Sequence, residues 1–494
     1  MKKDTRIMQF NSYLFIMLFL PSCIGGYFGL QYLGRKTGAR LFLAAMSLLF
    51  FAYGNPWYLL LLLASTGFNW GISRMLLENV KEAGSAPSPG RDGGKRKAIL
   101  ILGIGANLGL LFYYKYFNFF LENLNLFLKQ DLLLTRILLP VGISFFTFQQ
   151  VAWLVDSYRG ETGGYGFLDY AIFTVYFPKI AMGPILLHRE FIPQLTEEAR
   201  RRMDPENMSK GLMVFAAGLF KKVILAEFFA GPVAWGFSQV GLLSAADAFL
   251  VMLAYTFQLY FDFSGYCDMA VGISQMFNLE LPQNFNSPYK ALSPVDFWKR
   301  WHMTLTRFLR NYIYFPLGGS RKGKVRTYVN VMAVFLASGL WHGANWTFIL
   351  WGMIHGAAQC LNRMFDRQWN RLHIAFQWMA TFLFVNLGWV IFRADSISQA
   401  KQFFKRLVCF GNMQINPGFI ESFKMVELPQ VFLNHRIMTI FLIYGIAIHL
   451  VMNTRNMAEA GLKPTVQRAA GTAVMLVWSI ISLAGITTFI YFQF

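Results

Sequence analysis

Long apolar runs, broken by short clusters of basic and turn-forming residues, dominate the chain from end to end. Phe42–Tyr53 resumes after the Gly54-Asn55-Pro56 turn as Trp57–Ser65. Further runs occupy Ala98–Tyr114, Leu212–Leu219, Ala246–Leu259, Val329–Leu340, Trp346–Ala358, Ile374–Phe392, Ile437–Met452 and Ala470–Phe492. About 20 apolar residues cross the hydrocarbon of a bilayer as a helix, so these runs, with shorter and broken ones allowed for, predict roughly 10–13 membrane-embedded segments. None shows the strict alternation of a membrane β-strand, and the predicted class is all-α, a polytopic helical membrane protein. The polar breaks at Glu78–Lys97, Glu197–Lys210, Gly318–Arg326 and Gly411–Pro429 read as loops. None is long enough to separate soluble domains and no repeat recurs at a fixed period, so residues 1–494 read as a single membrane domain.

One segment carries more detail. Ser293-Pro294-Val295-Asp296 is a helix start, with Ser as the cap, Pro in the first helical position and Asp closing the capping box. Continued to about Tyr314 at about 100° per residue, the helix collects Phe297, Trp298, Trp301, Leu305, Phe308, Leu309, Tyr312 and Ile313 into one arc of about 160°. Lys299, Arg300, Arg307, Arg310 and Asn311 take the other side, which gives an amphipathic helix with a basic face. His302 falls within the apolar arc and is expected to point into the protein.

Composition sharpens the membrane assignment. Charged residues make up only 14% of the chain and its mean hydropathy is +0.40, against about a quarter charged in soluble domains. The formal net charge is +20, which in a soluble protein would suggest nucleic acid. Here the cations lie between apolar runs, at Lys2/Lys3/Arg6, Arg35/Lys36/Arg40, Lys95–Lys97, Arg200–Arg202, Arg321–Arg326 and Arg363–Arg371. That is the pattern of cytoplasmic loops facing anionic lipid, so the partner is the bilayer and nucleic acid is excluded. Pro21 and Gly25-Gly26 interrupt a first membrane helix, no small-residue cleavage site follows it, and no removable leader is expected. Cys23, Cys267, Cys360 and Cys409 sit singly in mostly apolar surroundings and suggest core packing, with no disulfide framework and no metal site.

Of the seven histidines, His188, His373 and His435 lie near charged or loop residues and read as exposed. His355 and His449 sit in apolar helices and read as satisfied core groups. His342 differs, because it ends an apolar run in Ser338-Gly339-Leu340-Trp341-His342-Gly343-Ala344-Asn345-Trp346. Glycines there allow close backbone approach, and an ionisable group at membrane depth marks a functional site by default. His302 and His342 have no metal-ligand spacing and no HExxH, GxSxG, Walker or GxGxxG element accompanies them. Two buried imidazoles of this kind suit proton transfer. Asp262 and Asp268 lie on a helix whose remaining face is apolar and are expected to pair with a basic neighbour such as Arg300 or Arg307, ahead of a direct catalytic part.

Several stretches then combine. They are LPVGISFFTFQQVAWLVDSYRGE (Leu139–Glu161), FPKIAMGPILLHREFIPQL (Phe177–Leu195), YFDFSGYCDMAVGISQMFN (Tyr260–Asn278), NFNSPY (Asn284–Tyr289), FWKRWHMTLTRFLRNYIYFPLGG (Phe297–Gly319) and SGLWHGANWTFILWGMIHG (Ser338–Gly356). In this order, over residues 139–363, they resemble the membrane-bound O-acyltransferase family. Together with GWVIFRA (Gly388–Ala394), they are most similar to its alginate O-acetyltransferase branch. The resemblance implies a ring of helices around a central funnel, with residues 1–138 and 364–494 packed about the motif-bearing core. It implies that His342 is the family's active-site histidine and His302 its second one. It further implies an acyl thioester donor such as acetyl-CoA on the cytoplasmic side, with no permanently bound cofactor. The acceptor would be an exported or cell-surface polysaccharide, reached through an extracytoplasmic SGNH-type partner protein, and the site would lie in the cytoplasmic (inner) membrane. His342 is then expected to act as general base and His302 to orient the donor or stabilise charge. Trp341, Trp298 and Trp301 are candidate walls of the substrate path, although aromatic packing is their commoner role. Asn345 is a candidate donor to the thioester carbonyl.

Two alternatives stand beside acetyl transfer. D-alanyl transfer to teichoic acid from a carrier protein stays within the family, but that branch tends to end earlier than the GWVIFRA region. A transporter or flippase would carry two related halves with paired interrupted helices, which this sequence lacks, and would leave the histidine pair unexplained.

Overall fold

The computed structural model describes residues 8–54, 56–81, 91–130, 132–134, 137–140, 142–180, 182–423, 430–453 and 463–485. Lys2, Lys3 and Arg6, the middle of the Glu78–Lys97 break, Pro429 and the end of the Ala470–Phe492 run lie outside those residues. The described residues form helices and connections with no strand. Each apolar run falls in a helix wherever it is described. Among the described residues, four stretches, Leu14–Tyr32, Pro56–Glu78, Gly94–Leu128 and Ile374–Arg393, are long and apolar enough to cross a membrane by length and composition. Only 22% of the Gly94–Leu128 window is buried within the protein. Ile101, Leu102 and Leu108 are open there, a face whose natural cover is lipid.

The chain clusters into two compact units, residues 1–213 with 270–282 and residues 214–269 with 283–494. In the first, a π-type turn over Leu14–Phe19 precedes α1 (Leu20–Tyr32), with Pro21 in its first turn. The sequence suggested a break at Pro21 and Gly25-Gly26. Proline instead perturbs only the turn before it, where its missing N–H and ring bulk are felt, and α1 runs through both glycines. Next come α2 (Lys36–Ala52), α3 (Pro56–Lys81), α4 (Arg91–Leu111) and α5 (Ile143–Tyr158). The charged break at Glu78–Lys97 is thus narrower than expected, because Glu, Lys and Arg are good helix formers and prolong α3 and α4 past their apolar parts. Gly103 lets α4 close on its neighbours, since a Cβ there would meet Leu154 of α5 at 2.7 Å and Ile72 of α3 at 3.0 Å. The buried amides of Asn69 and Asn107 exchange hydrogen bonds of 3.1 and 2.7 Å, the polar glue that helices use where lipid supplies no hydrophobic drive. Helix α6 (His188–Thr196) follows, and α7 (Pro205–Phe220) and α8 (Ala245–Met276) contribute residues to each unit.

In the second unit, α8 and the turn after α7 carry two ion pairs. Lys221 Nζ lies 2.6 Å from Asp268, and the fully buried Lys222 is hydrogen-bonded to Asp262. The two aspartates therefore do pair with basic groups, and the partners are these lysines, while Arg300 pairs with Asp296. The cap at Ser293 forms as expected. Ser293 Oγ accepts from Asp296 N at 3.0 Å, but the Asp296 carboxylate accepts from Leu292 N at 3.2 Å, not from Ser293 N, so the box expected there closes one residue earlier. The long helix predicted from Pro294 to Tyr314 does not form. It is divided into α9 (Pro294–Arg300), α10 (Met303–Leu309) and a π-type turn over Arg310–Tyr314. Beyond lie α11 (Lys324–His342), α12 (Trp346–Met364), α13 (Ile374–Arg393) and α14 (Arg436–Asn453). Helices α11 and α12 make a hairpin whose backbones touch: Gly339 and Gly352 Cα atoms pack together, and a Cβ on Gly339 would lie 2.3 Å from Phe348 O. Only glycine fits such a crossing.

Candidate active site

His302 occupies the break between α9 and α10. Its φ of +46° is left-handed, a conformation that costs a residue with a Cβ about 1–2 kcal/mol and that histidine tolerates better than most. Two strand-like contacts hold the break open, Asn286 N to Arg300 O at 2.9 Å and Met303 N to Asn284 O at 3.0 Å. The same Asn284 fixes the imidazole. Its Oδ1 accepts from Thr304 N at 3.2 Å and from Thr304 Oγ1 at 2.9 Å, and lies 3.1 Å from His302 Nδ1. Because a backbone N–H can only donate, that Asn284 atom is the carbonyl oxygen, and His302 Nδ1 must carry a proton toward it. A neutral His302 then presents the bare lone pair of Nε2. This atom is buried with no hydrogen-bond partner among the described residues, and the whole residue is only 1% exposed.

Phe263 of α8 seats the ring edge-on at 4.8 Å, and Trp341 lies 5.8 Å from it by ring centroids. Trp341 also meets His342, at 4.9 Å, so one indole bridges the two histidines. His342 is the last residue of α11 and is buried. Trp351 at 5.3 Å and Phe392 at 5.1 Å meet its ring edge-on. The chain can end α11 there because Gly343 is extended and packs on the Phe348 ring, where a Cβ would come within 2.1 Å.

The remaining sequence candidates divide. Trp298 is buried beside Trp351 and donates from Nε1 to His355 Nδ1 at 3.2 Å, which ties it to the core; His355 is buried as expected but satisfied only at Nδ1, its Nε2 having no hydrogen-bond partner among the described residues. Trp301 is sealed among Phe297, Phe285 and Trp389, so both tryptophans hold the aromatic core behind the histidines. Asn345 caps α12, accepting from Thr347 N at 3.0 Å, and its Nδ2 donates to Asp395 O at 2.9 Å. Its amide thus already has structural work. His373 and His435 are exposed as expected, but His188 is buried and His449 is exposed on α14. Cys23 and Cys267 are buried, whereas Cys360 is half-buried and Cys409 exposed.

Sequence reasoning missed Asn284 and Thr304. The signal was there, a polar residue beside Phe285 within the quoted NFNSPY stretch, but its contact with His302 is made across a chain break that periodicity does not show. Trp351 and Phe392 were also missed as neighbours of His342.

Residues 101–397 match the membrane-bound O-acyltransferase family, MBOAT. The chain is 41% identical over 432 residues to the peptidoglycan O-acetyltransferase of Helicobacter pylori, an overlap of 81% of this chain and 80% of that one. It is 37% identical over 418 residues to the probable alginate O-acetylase AlgI of Pseudomonas aeruginosa, covering 83% and 76% of the two chains. Likeness to the teichoic acid D-alanyltransferase of Lacticaseibacillus rhamnosus is 31% over 234 residues, only 44% of this chain and 56% of that one.

Proposed function

We propose that this chain, which belongs to the membrane-bound O-acyltransferase family, moves an acetyl group from a cytoplasmic thioester such as acetyl-CoA to hydroxyls of an exported or cell-surface polysaccharide. It is a multi-pass membrane acyltransferase, and its relatives are O-acetyltransferases of peptidoglycan and alginate. The acetyl specificity, the donor, the cytoplasmic (inner) membrane location and an extracytoplasmic SGNH-type partner are parts of the proposal. The observation that carries it is the pair of buried imidazoles sharing Trp341, with His302 locked in the tautomer that leaves Nε2 as an acceptor.

In the reaction, His342 takes the proton of the acceptor hydroxyl as its oxygen attacks the thioester carbonyl. The new C–O bond forms, the C–S bond breaks, and the departing thiolate receives the proton from the imidazolium. His302 Nε2 accepts a hydrogen bond from donor or acceptor and holds it in line. Stabilising an oxyanion, the other role the sequence suggested, would require His302 to carry a second proton. General acid–base help of this kind is worth about 10²–10⁴-fold. The relatives named for D-alanyl transfer are similar over 44% and 51% of the chain, against 81% and 83% for the acetyl relatives, which favours acetyl.

Transfer from radiolabelled acetyl-CoA is measured in membranes holding matched amounts of wild type, His342→Ala or His302→Ala, with partner and either peptidoglycan or alginate supplied. Label that appears with wild type and falls by at least about 10²-fold with His342→Ala supports the proposal. Equal labelling in all three removes His342 from the reaction, and label only from a carrier-protein thioester replaces the donor.

A further inference from the structure

In the first unit, the end of α5 and the start of α6 bring together three side chains that acyl transfer does not use. Asp156, Glu161 and His188 each place one ligand-type atom within 4.8 Å of the other two. The backbone builds this set. Gly160, at φ +83°, closes α5 with Gly160 N bonded to Ser157 O at 3.0 Å and Glu161 N to Asp156 O at 2.9 Å. These are the two bonds of a Schellman turn, and they put Glu161 beside Asp156, five residues earlier. A third bond, Ser157 Oγ to Thr162 Oγ1 at 2.7 Å, braces the turn.

His188 arrives as the first residue of α6, its ring held edge-on by Trp153 at 5.7 Å and Tyr165 at 5.5 Å. It is 3% exposed. Its Nε2 lies 3.3 Å from Asp156 Oδ2, yet neither ring nitrogen has a hydrogen-bond partner among the described residues. A polar ring edge buried without a hydrogen bond is destabilising, and here it is aimed at a carboxylate whose second oxygen is engaged by Arg159.

We propose that Asp156, Glu161 and His188 bind one divalent cation of the zinc type, which clips the C-terminus of α5 to the N-terminus of α6. An imidazole nitrogen with two carboxylates is the donor set of a borderline ion, bound at about 2.0–2.2 Å. Calcium and magnesium favour all-oxygen sites. The two carboxylates balance the charge of the ion, and the C-terminus of α5 favours a cation. Two arginines compete for the carboxylates at long range, Arg159 Nη1 at 3.4 Å from Asp156 Oδ1 and Arg189 Nη1 at 3.8 Å from Glu161 Oε2. Their side chains are 40% and 60% exposed, so an ion would displace them at the solvent edge of the site. Glu161, 38% exposed, moves inward to complete the set.

The test uses the full chain, purified in detergent, stripped with a chelator and titrated with Zn²⁺ alone. Bound metal is read by elemental analysis after desalting, and the unfolding midpoint is followed in parallel. One zinc per chain is expected, with a raised midpoint that about a hundredfold excess of Mg²⁺ does not displace. Glu161→Gln, at the exposed edge of the turn, keeps the fold and weakens zinc binding by about tenfold or more, and His188→Gln abolishes it. Wild type that retains no zinc overturns the proposal, as does Glu161→Gln retaining as much as wild type. Should His188→Gln fail to fold, the Glu161→Gln comparison decides alone.

Discussion

Asn284→Ala removes the acceptor that sets the tautomer of His302, and its consequences follow from three hydrogen bonds. Asn284 Oδ1 takes protons from His302 Nδ1, Thr304 N and Thr304 Oγ1. Each donor left unsatisfied in the interior costs about 1–3 kcal/mol, and neighbouring losses overlap. A destabilisation of about 2–4 kcal/mol is therefore expected, read as a lowered unfolding midpoint in detergent. The imidazole is then free to change tautomer or rotate, and acetyl transfer per folded molecule falls at least about tenfold, bounded by the 10²–10⁴-fold that acid–base groups supply. Asn284→Asp separates this from mere structural damage. A carboxylate accepts the same three bonds, and its other oxygen accepts from Cys267 S–H where Asn284 Nδ2 now lies 3.3 Å from Sγ. The negative charge favours imidazolium, so the pKa of His302 rises and a higher pH is needed to bare Nε2. Asn284→Asp should thus recover activity with the acidic limb of its pH–rate profile moved to higher pH. Asn284→Ala with wild-type turnover, or Asn284→Asp as inactive as Asn284→Ala and with no pH shift, would refute the tautomer argument.

Further outcomes follow from packing and charge. Gly339→Ala drives a methyl to within 2.3 Å of Phe348 O, so it should cost about 1–3 kcal/mol of overpacking in the unfolding midpoint, whereas Gly105→Ala, which has open space, should not. Lys222→Met takes the buried cation from the Asp262 carboxylate and should cost about 3–5 kcal/mol; adding Asp262→Leu should regain more than half of it, since an apolar pair replaces a buried ion pair at little loss. Trp298→Phe deletes the donor to His355 Nδ1 and should lower stability by about 1 kcal/mol while turnover stays near wild type. A turnover loss larger than tenfold would instead make Trp298 part of the substrate path.

The sequence carried the parts of this molecule that depend on local pattern. Apolar runs gave the helices, the Ser293-Pro294-Asp296 triplet gave a cap that forms, and Gly339 and Gly343 gave the close approach around His342. Burial of His302 was foreseen from its place on the apolar arc, although the helix that placed it there is broken. What was not legible are contacts made by tertiary approach. Lys221 and Lys222 reach Asp268 and Asp262 from a different helix, and nothing in either segment selects them over Arg300 or Arg307. His188 looked exposed because His-Arg-Glu begins a polar turn, but Trp153 and Tyr165 close over it from the preceding elements. Proline at 21 and glycines at 25 and 26 looked like an interruption, yet a helix tolerates glycine at about 1 kcal/mol each when its surroundings hold it.

The break at His302 explains why a helical-wheel argument foresaw the burial of this residue by the wrong route. Had α9 run on into α10, the Met303 amide would have bonded up the helix as the Trp301 amide does to Phe297 O, and Asn284 would have had no backbone N–H of Thr304 to orient it. An unbroken helix would therefore bury His302 while leaving its tautomer undetermined. The left-handed residue stops the helix one step before the imidazole is needed and turns the N–H groups of Met303 and Thr304 toward Asn284. The strain, about 1–2 kcal/mol, is comparable to one net hydrogen bond, and this arrangement gains two from the backbone alone. Such strain persists only where surrounding contacts over-determine it. Here those contacts are the ones that decide which nitrogen faces inward. The conformation that looks like a cost to the fold is the same one that gives the histidine a defined chemical face.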